Sequence, residues 1–307
     1  MLNSEFDYND AMKNSTIEVI QLSENPEVSV IIPHFYQGRK ENFDGLIQDI
    51  KNQTFRSLEI IVVNGVSPQG KAINEGVRKA RGKVLVVMDD DSRIGHKQVI
   101  ENLLKALETD RQIAMAGASV LTPNDANAFQ KSAARQFPRF NMPVVKEVID
   151  SDLACHGCVA FRRNIFEEVG MEREDILRGL DPDLRVRIRK AGYRVVLVPD
   201  TWAYHPLPDS LPKLASMFFR NGYGAAYIQK THPEINYDTH EQTDSSNFVA
   251  KRPLWYRMLR YPGRLLESLF KFQWLRFIAY SVYVFGYAWG FIQFYVLGLS
   301  PLNPTKK

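Results

Sequence analysis

The sequence predicts an α/β fold, with a mixed, mostly parallel sheet flanked by helices and a helical extension at the C-terminus. Three mainly apolar runs, residues 28–32, 58–63 and 84–88, indicate strands buried on both faces, as parallel strands are. Segments with apolar residues at helical spacing separate these runs, and strands that alternate with helices indicate β-α-β units. Three consecutive aspartates, Asp89 to Asp91, follow the third run directly.

The first half of the chain supports this fold element by element. The strand at 28–32 ends at Pro33, which has no N–H group to donate to a sheet ladder. The second strand ends at Asn64-Gly65, a dipeptide typical of turns. Between the strands, apolar residues recur at helical spacing. The predicted elements are a helix over 43–52, a strand over 58–63, a helix over 71–80, a strand over 84–88, a helix over 97–108 and a strand over 113–121.

The second half is less regular. Residues 122–150 contain three prolines and are predicted to form loops with short pieces of structure. The predicted elements after them are a strand over 159–161, a helix over 164–169, a basic helix over 183–191, a strand over 195–198 and an amphipathic helix over 211–229. We divide the chain into an N-terminal extension (1–27), an α/β domain (28–208), an amphipathic helix with a linker (209–250) and a basic and apolar C-terminal segment (251–307).

Composition excludes some classes of partner. Of the 307 residues, 45% are hydrophobic and 24% are charged, which is ordinary for a folded globular protein. The formal net charge of +4 is small for this length, so we expect no nucleic-acid partner. The first 27 residues lack the cationic and apolar regions of a signal peptide, so we expect the α/β domain to be cytoplasmic.

The C-terminal segment combines a basic stretch with an apolar one. Seven basic residues lie between Lys251 and Arg276 against a single acid, Glu267, and such an excess is attracted to anionic membrane surfaces. Residues 277–299 carry no charge and predict a helix of about 35 Å, enough to cross a hydrocarbon core of about 30 Å. We therefore expect attachment to the cytoplasmic side of a membrane, with a single span through 277–299 as one option. The alternatives are an interfacial hairpin, a pair of core helices and, for the basic stretch, a solvated helix face.

The aspartate triplet predicts a divalent metal site. Ligands of open α/β sheets bind beyond the carboxyl ends of the strands, where these residues lie. Carboxylate oxygens suit Mg²⁺ or Mn²⁺ held against phosphate. The alternative is an acidic turn that caps the next helix, since Asp is a preferred N-cap residue.

Both cysteines fall in the segment Cys155-His156-Gly157-Cys158. This spacing occurs in metal-binding and redox-active sites. Two thiols and one histidine do not complete a tetrahedral zinc site, however. We therefore expect two buried small residues beside a functional glycine.

Four features follow one another in a specific order. They are the strand that ends at Pro33, the segment 71–76 that begins a helix, the triplet Asp89 to Asp91, and the segment 179–194 with His205 after the next strand. The segments Phe161-Arg162-Arg163 and Glu168-Val169-Gly170 add to the pattern. Over residues 28–206 the chain resembles the family 2 glycosyltransferases, inverting enzymes of the Rossmann-like GT-A fold. The resemblance implies transfer of a sugar from a nucleotide-sugar donor, such as a UDP-, GDP- or dTDP-sugar.

The resemblance also implies a metal site and a catalytic base. Asp89 and Asp91 match the family's Asp-x-Asp motif, and His205 matches a histidine that contacts metal or diphosphate, so these three are the predicted ligands of Mg²⁺ or Mn²⁺. Such a metal neutralises charge on the diphosphate leaving group. Asp181 matches the family's catalytic acid and is the predicted base, which takes the proton of the attacking hydroxyl.

One position departs from the family's pattern near this base. Leu180 stands where the family usually has Glu, which puts the support of Asp181 by a neighbouring carboxylate in doubt. Asp183 is the alternative base, although it is also suited to cap the basic helix.

The donor site is predicted from the same resemblance. Its candidate residues are Pro33, Phe35, Asn64, Lys71, Asn74, Asp89 and Asp90. Lys71 has the charge to bind phosphate, and the alternative for it is a solvated residue in a first helical turn. The family commonly has an acidic pair where this chain has Asn64-Gly65. Because Asn both donates and accepts hydrogen bonds, the usual preference for uracil is not assumed. We expect a glycan or lipid-linked acceptor, in the synthesis of cell-envelope polysaccharide or glycolipid.

Two hypotheses from other classes remain open. A haloacid-dehalogenase-like phosphatase also has Asp-x-Asp at a strand end, with Asp89 as nucleophile, but that class needs a further lysine motif. A membrane-associated sugar-nucleotide-binding protein without turnover is favoured by Leu180 and Asn64. Metal-dependent release of nucleoside diphosphate separates these classes from a transferase.

Overall fold

Helices cover both faces of one mixed sheet in the computed structural model, which describes residues 15–34, 40–233 and 254–300. The strands are β1 (Thr16–Gln21), β2 (Val28–His34), β3 (Leu58–Asn64), β4 (Val84–Val87), β5 (Arg93–Ile94), β6 (Ile113–Leu121), β7 (Ile149–Asp150), β8 (Val159–Arg162) and β9 (Arg194–Tyr204). The helices are α1 (Lys40–Lys51), α2 (Gln69–Lys79), α3 (Val99–Thr109), α4 (Ala128–Gln136), α5 (Arg163–Glu168), α6 (Leu180–Lys190), α7 (Leu211–Thr231), α8 (Leu254–Phe270) and α9 (Trp274–Phe291). A 3₁₀ turn, Pro138–Phe140, follows α4, and a π-helical turn, Ile292–Val296, extends α9.

The strand order of the sheet is β1-β3-β2-β4-β8-β6-β9-β5, and β7 pairs with β9. β2 runs parallel to β3 and β4, and β6 runs parallel to β9. The remaining pairs, β1–β3, β4–β8, β6–β8, β5–β9 and β7–β9, are antiparallel. The prediction of a mixed, mostly parallel sheet flanked by helices is confirmed. Because β4 and β6 both run antiparallel to β8, the strands β2, β3, β4, β6 and β9 all point in one direction, and β1, β5, β7 and β8 run against them.

β1 is a strand that the sequence analysis did not predict. It pairs along β3 from Thr16 opposite Asn64 to Gln21 opposite Glu59, and it lies at one edge of the sheet. Its side chains are exposed or half-buried, so it lacks the apolar run that marks the inner strands. The sheet therefore begins before residue 28, where the sequence analysis placed the start of the α/β domain.

Two apolar layers form the core, one on each face of the sheet. Alternate residues of a strand point to opposite faces. In β2, Val30 and Ile32 therefore belong to the layer that contains α1 and α3, whereas Ile31 belongs to the layer that contains α2, α5 and α6. Burial on both faces explains why β2 and β4 have no alternating pattern in the sequence.

Helix α4 lies within the segment 122–150 that was predicted to be mainly loops. Its start is fixed by a capping box in which the Asn127 side chain accepts from the Gln130 N–H and the Gln130 side chain accepts from the Asn127 N–H. Because prolines at 123 and 138 flank this short helix, the sequence favoured loops in this segment.

Helices α7 and α9 pack closely through glycines. A side chain at Gly222 of α7 would collide with the carbonyl oxygen of Tyr283, and one at Gly286 of α9 would collide with the carbonyl oxygen of Phe219. α7 in turn packs on α4, in a cluster that contains Leu214, Phe218, Ala133 and Tyr280 of α9. The C-terminal helices are therefore joined to the α/β domain. Within the described residues, Trp274–Val296 forms one helix of 23 residues that is long and apolar enough to cross a membrane.

Candidate active site

The C-terminal ends of β2, β3 and β4 meet at one edge of the sheet, because these strands are parallel. His34 and Asn64 are the last residues of β2 and β3, and Asp89 closely follows β4. β8 runs antiparallel to β4, so the turn 155–158 that leads into β8 lies at the same edge. This edge is where ligands of α/β sheets bind.

Two side chains hold the carboxylate of Asp89. Its Oδ1 accepts a hydrogen bond of 2.7 Å from Gln69 Nε2, and its Oδ2 lies 3.5 Å from His205 Nε2. Burial raises the pKa of the Asp89 carboxyl, but the hydrogen bond and charge of His205, the charge of His156 and the hydrogen bond from Gln69 outweigh it, and the net shift of the pKa is downward. Asp89 is therefore ionised at neutral pH, as a metal ligand must be.

His205 lies between the first and third acids of the triplet. Its Nε2 is 3.3 Å from Asp91 Oδ1 and 3.5 Å from Asp89 Oδ2. The two carboxylates are the ligand type that Mg²⁺ and Mn²⁺ prefer. Among the described residues, no three His, Cys, Asp and Glu side chains already surround a common metal position. The three predicted ligands are thus brought together, with the imidazole in contact with both carboxylates.

Asp90 contacts His34, whereas the acids on either side of it contact His205. Its Oδ2 lies 2.8 Å from His34 Nδ1, and the His34 ring stacks on Phe43 of α1 at a centroid distance of 4.4 Å. Asp90 therefore connects the triplet to the end of β2 and to α1, and its contact with a donor stays a prediction.

The predicted base, Asp181, lies in the first turn of α6, which begins at Leu180 rather than at residue 183 as predicted. Its Oδ1 accepts a 2.9 Å hydrogen bond from the His156 N–H and lies 3.2 Å from His156 Nδ1. The Asp181 side chain is 28% exposed, so an acceptor can reach it. Gly179 caps the helix with a φ of +86°, a conformation that favours glycine and that starts the helix immediately before the base.

His156 is enclosed between two carboxylates. Its Nε2 lies 2.9 Å from Glu172 Oε1, on the side away from Asp181. Burial lowers the pKa of His156, but the charges of Asp181 and Glu172 outweigh this effect and raise the pKa to about 10. The ring is therefore an imidazolium at neutral pH and donates from both nitrogens.

Asp183, the alternative base, is buried and contacts two arginines. It is 2% exposed, its Oδ2 accepts a 2.8 Å hydrogen bond from Arg187 Nε, and its Oδ1 lies 3.4 Å from Arg173 Nε. Leu180 is also buried and packs with Ile176 against Ile228 of α7. At the position where the family usually has Glu, this chain thus makes an apolar contact with α7.

The other predicted donor residues occupy different environments. Pro33 is half-buried near the end of β2, and Asn64 Nδ2 lies 3.3 Å from Thr16 Oγ1 of β1. Lys71 is exposed in the first turn of α2. Phe35 lies outside the described residues.

Asn74 is buried, and its amide group binds other parts of the protein. Its Oδ1 accepts from the Glu172 N–H at 3.0 Å, and its Nδ2 donates to the Glu172 carbonyl at 2.9 Å and to Glu174 Oε1 at 3.0 Å. Asn74 therefore fixes the backbone of Glu172, the residue that contacts His156. Its contact with a donor stays a prediction.

Cys155 and Cys158 flank His156 on the same turn. Burial raises the pKa of both thiols to about 12, so both stay protonated at neutral pH. A protonated thiol is a poor nucleophile and a poor metal ligand. Cys158 is buried, as expected, whereas Cys155 is half-buried.

Four contact residues of the site were not assigned from sequence. His34, Gln69 and Glu172 were not considered, and His156 was noted only as part of the C-x-x-C segment. Gln69 stands in the first turn of the helix that follows the second strand, a position that could have been found. Glu172 belongs to an irregular segment and to no motif, so the sequence offers no signal for it.

Comparison with known proteins agrees with this architecture. A family model described as "Glycosyltransferase like family 2" matches residues 10–224. The "Glycosyltransferase AglD" of Haloferax volcanii is 28% identical over 136 residues, which are 44% of this chain and only 21% of the length of that relative.

Of two solved structures compared with this chain, the first is similar in fold. The mannosyltransferase PcManGT from Pyrobaculum calidifontis, in complex with GDP-Man and Mn²⁺, superimposes with a TM-score of 0.55 at 15% identity, over 92% of this chain and 93% of that one. GalNAc-T7 with UDP, GalNAc and Mn²⁺ has a TM-score of 0.44 at 15% identity, over 69% of this chain and 52% of that one. With its sheet and the match over residues 10–224, the chain belongs to the family described as "Glycosyltransferase like family 2" and has the GT-A fold.

Proposed function

We propose that this glycosyltransferase moves a sugar from a nucleotide-sugar donor to an acceptor hydroxyl, with inversion at the anomeric carbon and with the help of a divalent metal. The observation that carries the proposal is the backbone of His156. Its carbonyl accepts from the Asp89 N–H and its N–H donates to the Asp181 carboxylate, both at 2.9 Å. A single residue thus links the predicted metal-binding acid to the predicted base. A donor diphosphate and an acceptor hydroxyl can therefore be bound side by side.

Asp89, Asp91 and His205 would hold Mg²⁺ or Mn²⁺. When bound, the metal supplies charge neutralisation on the diphosphate leaving group. Gln69 keeps Asp89 turned toward this position through its hydrogen bond to Oδ1. The presence of Mn²⁺ and GDP-Man in the structurally similar mannosyltransferase supports this assignment.

Asp181 takes the proton from the acceptor hydroxyl as that oxygen attacks the anomeric carbon. Inversion in a single displacement needs one base on the acceptor side, and a carboxylate within hydrogen-bond reach suffices. Asp181 is the partly exposed acid of its helix, whereas Asp183 is buried against two arginines. We propose a UDP-, GDP- or dTDP-sugar as donor, bound among Pro33, Phe35, Asn64, Lys71, Asn74, Asp89 and Asp90.

We also propose that the C-terminal helices attach the enzyme to the cytoplasmic side of a membrane, where a lipid-linked or glycan acceptor of the cell envelope is presented. On α9 and the turn after it, Phe285, Trp289, Ile292 and Val296 are exposed at helical spacing. On α8, Trp255, Leu259, Leu266 and Phe270 form a second exposed stripe. Apolar stripes beside basic residues are typical of helices that lie in the bilayer interface.

The packing of α9 favours an in-plane helix over a transmembrane span. α9 lies against α7 through Gly222 and Gly286, and α7 carries the charged residues Lys213, Arg220 and Lys230. A span by α9 would draw these charges toward the hydrocarbon core, which is costly. We therefore propose that α9 rests on the membrane with its exposed stripe inserted.

Release of nucleoside diphosphate from a panel of UDP-, GDP- and dTDP-sugars, with Mn²⁺ and after its removal by EDTA, tests the catalytic proposal. We expect Asp181→Asn to lower the rate by about 10²–10⁴-fold, the usual contribution of a general base, with donor binding retained in a thermal-shift assay. Asp200→Asn, which changes an exposed aspartate, is the matched control and should keep the rate.

Two results would contradict this proposal. Unchanged turnover in Asp181→Asn would remove Asp181 as the base. Donor binding without any release, in the wild-type protein and with Mn²⁺ present, would favour the binding protein without turnover. The phosphatase hypothesis is wrong, since the chain belongs to a glycosyltransferase family.

A further inference from the structure

The predicted base, Asp181, contacts His156, which forms a buried pair with Glu172 that no sequence motif indicates. His156 Nδ1 lies 3.2 Å from Asp181 Oδ1, and His156 Nε2 lies 2.9 Å from Glu172 Oε1. From this geometry we infer that His156 and Glu172 are positioning residues for Asp181 in sugar transfer. The inference rests on the proposed role of Asp181 as base.

The exposed fraction of the three side chains increases from Glu172 through His156 to Asp181. Glu172 has a fully buried side chain, that of His156 is 3% exposed, and that of Asp181 is 28% exposed. The inner end is therefore closed to water, and only the carboxylate at the outer end can meet a substrate. A closed ion pair holds its geometry more firmly than an exposed one, because water does not compete for its hydrogen bonds.

The inner end of the row is anchored by the fold itself. Asn74 of α2 binds both the N–H and the carbonyl of Glu172. The two residues before Glu172, Gly170 and Met171, have φ values of +91° and +59°, so the chain turns sharply before it enters the core. Strain of this kind in a residue other than glycine persists only where the surroundings enforce it.

The outer end leaves one oxygen of the base available. In the described part of the chain, the hydrogen bond from the His156 N–H and the contact with its ring both go to Oδ1 of Asp181. With Oδ1 held twice, the carboxylate cannot rotate freely, and Oδ2 is left to accept the proton of the acceptor hydroxyl. Orientation of a reacting group contributes to rate without contributing to substrate affinity.

This arrangement also accounts for Leu180. The preceding residue of α6 cannot support Asp181, because it is apolar and buried against α7. Support arrives instead from the turn 155–158, on the other side of the base. In this chain the side chain that holds Asp181 is therefore that of His156 and not that of residue 180.

Three variants test the inference with GDP-mannose and Mn²⁺, or with whichever donor of the panel gives the highest rate. His156→Gln places an amide near Nε2 and loses the ring contact with Asp181, so we expect kcat to fall by about tenfold or more, a part of what a general base contributes. His156→Asn places its amide near Nδ1 and should recover part of that loss. Glu172→Gln should lower kcat less than His156→Gln does. The donor KM should change by less than about threefold in all three, because an orientation effect changes kcat and leaves binding unaltered.

The control is His96→Gln, since His96 contacts the Asp200 carbonyl through Nε2, the Gln98 N–H through Nδ1 and the ring of Trp202, none of which belongs to the candidate site. It should keep both kcat and KM. Thermal unfolding of each variant shows that it is folded, and Glu172→Gln, an isosteric change, carries the test if His156→Gln does not fold. An unchanged kcat in the folded variants would overturn the inference, as would a parallel loss of donor affinity.

A double variant separates this inference from the role of Asp181 itself. If His156 acts through Asp181, adding His156→Gln to Asp181→Asn should lower kcat no further. If Asp181→Asn alone leaves kcat unchanged, the base assignment fails. If Asp181→Asn lowers kcat and His156→Gln does not, only the positioning role fails.

Discussion

At the scale of the residue, the two outer acids of the triplet differ in how they are held. The Asp91 side chain is 9% exposed and the Asp89 side chain 26% exposed, and Gln69 gives Asp89 a neutral donor besides His205. A carboxylate that is buried more deeply depends more strongly on a cation for its stability as an ion. Asp91 should therefore be the acid whose charge matters most for metal affinity.

We expect Asp91→Asn to raise the Mn²⁺ concentration for half-maximal activity by at least about tenfold, as loss of a metal contact does. Titration of EDTA-treated enzyme with Mn²⁺ measures this shift. Asp90→Asn is the control, because Asp90 contacts His34, and it should leave the Mn²⁺ requirement within about threefold of the wild type. Equal shifts in the two variants would contradict the division of roles within the triplet.

The sequence named the candidate acids of the site but not the residues that hold them. Asp89, Asp91 and Asp181 could be named because they match motifs that follow one another in a specific order along the chain, and their roles stay predictions. His156 and Glu172 could not, because the contact between them depends on how an irregular segment near residue 172 packs against α2. This is a tertiary contact, and a local sequence pattern does not indicate which distant residues meet.

At the scale of the element, close packing of α7 on α9 joins the C-terminal segment to the α/β domain. Gly222 of α7 and Gly286 of α9 allow this contact, because a side chain at either position would collide with a backbone carbonyl of the other helix. β1 and α4 were not predicted, since neither presents a long apolar pattern and both depend on neighbours for their stability. Long buried elements could be predicted, and short or half-exposed ones could not.

We expect Gly286→Ala to destabilise the protein by about 1–3 kcal/mol, since the added methyl group overlaps the Phe219 carbonyl. Thermal unfolding should show a lower Tm. The matched control is Gly263→Ala on α8, where nothing lies within 4 Å and alanine favours the helix, so the Tm should not fall. A Gly286→Ala variant as stable as the wild type would mean that α7 and α9 are not in contact.

At the scale of the whole molecule, α8 and α9 each present an exposed apolar stripe. We expect the full-length chain to sediment with phosphatidylcholine vesicles that contain phosphatidylglycerol. Replacing Phe285, Trp289 and Ile292 by Ser should weaken this binding by about tenfold or more, which corresponds to about 1.4 kcal/mol.

The matched control replaces three exposed apolar residues on the α/β domain, Val19, Leu22 and Val148, by Ser. It should bind vesicles as the wild type does. Alkaline carbonate should release the in-plane form, whereas retention of the chain in the vesicle pellet would indicate a span. A full-length chain that stays in the supernatant with every vesicle would contradict membrane attachment.

Helix α7 lies between α9, the helix that we propose rests on the membrane, and the segment that carries the predicted base. One side of α7 holds Phe294 through Ala226 and Tyr227, and Ile228 touches Ile176 and Leu180, next to Asp181. A helix with its side chains is about 10 Å across. The hydroxyl of a membrane-borne acceptor would therefore need to stand only about that far above the bilayer, a reach that the head group of a lipid-linked sugar has and a bare lipid alcohol at the surface lacks.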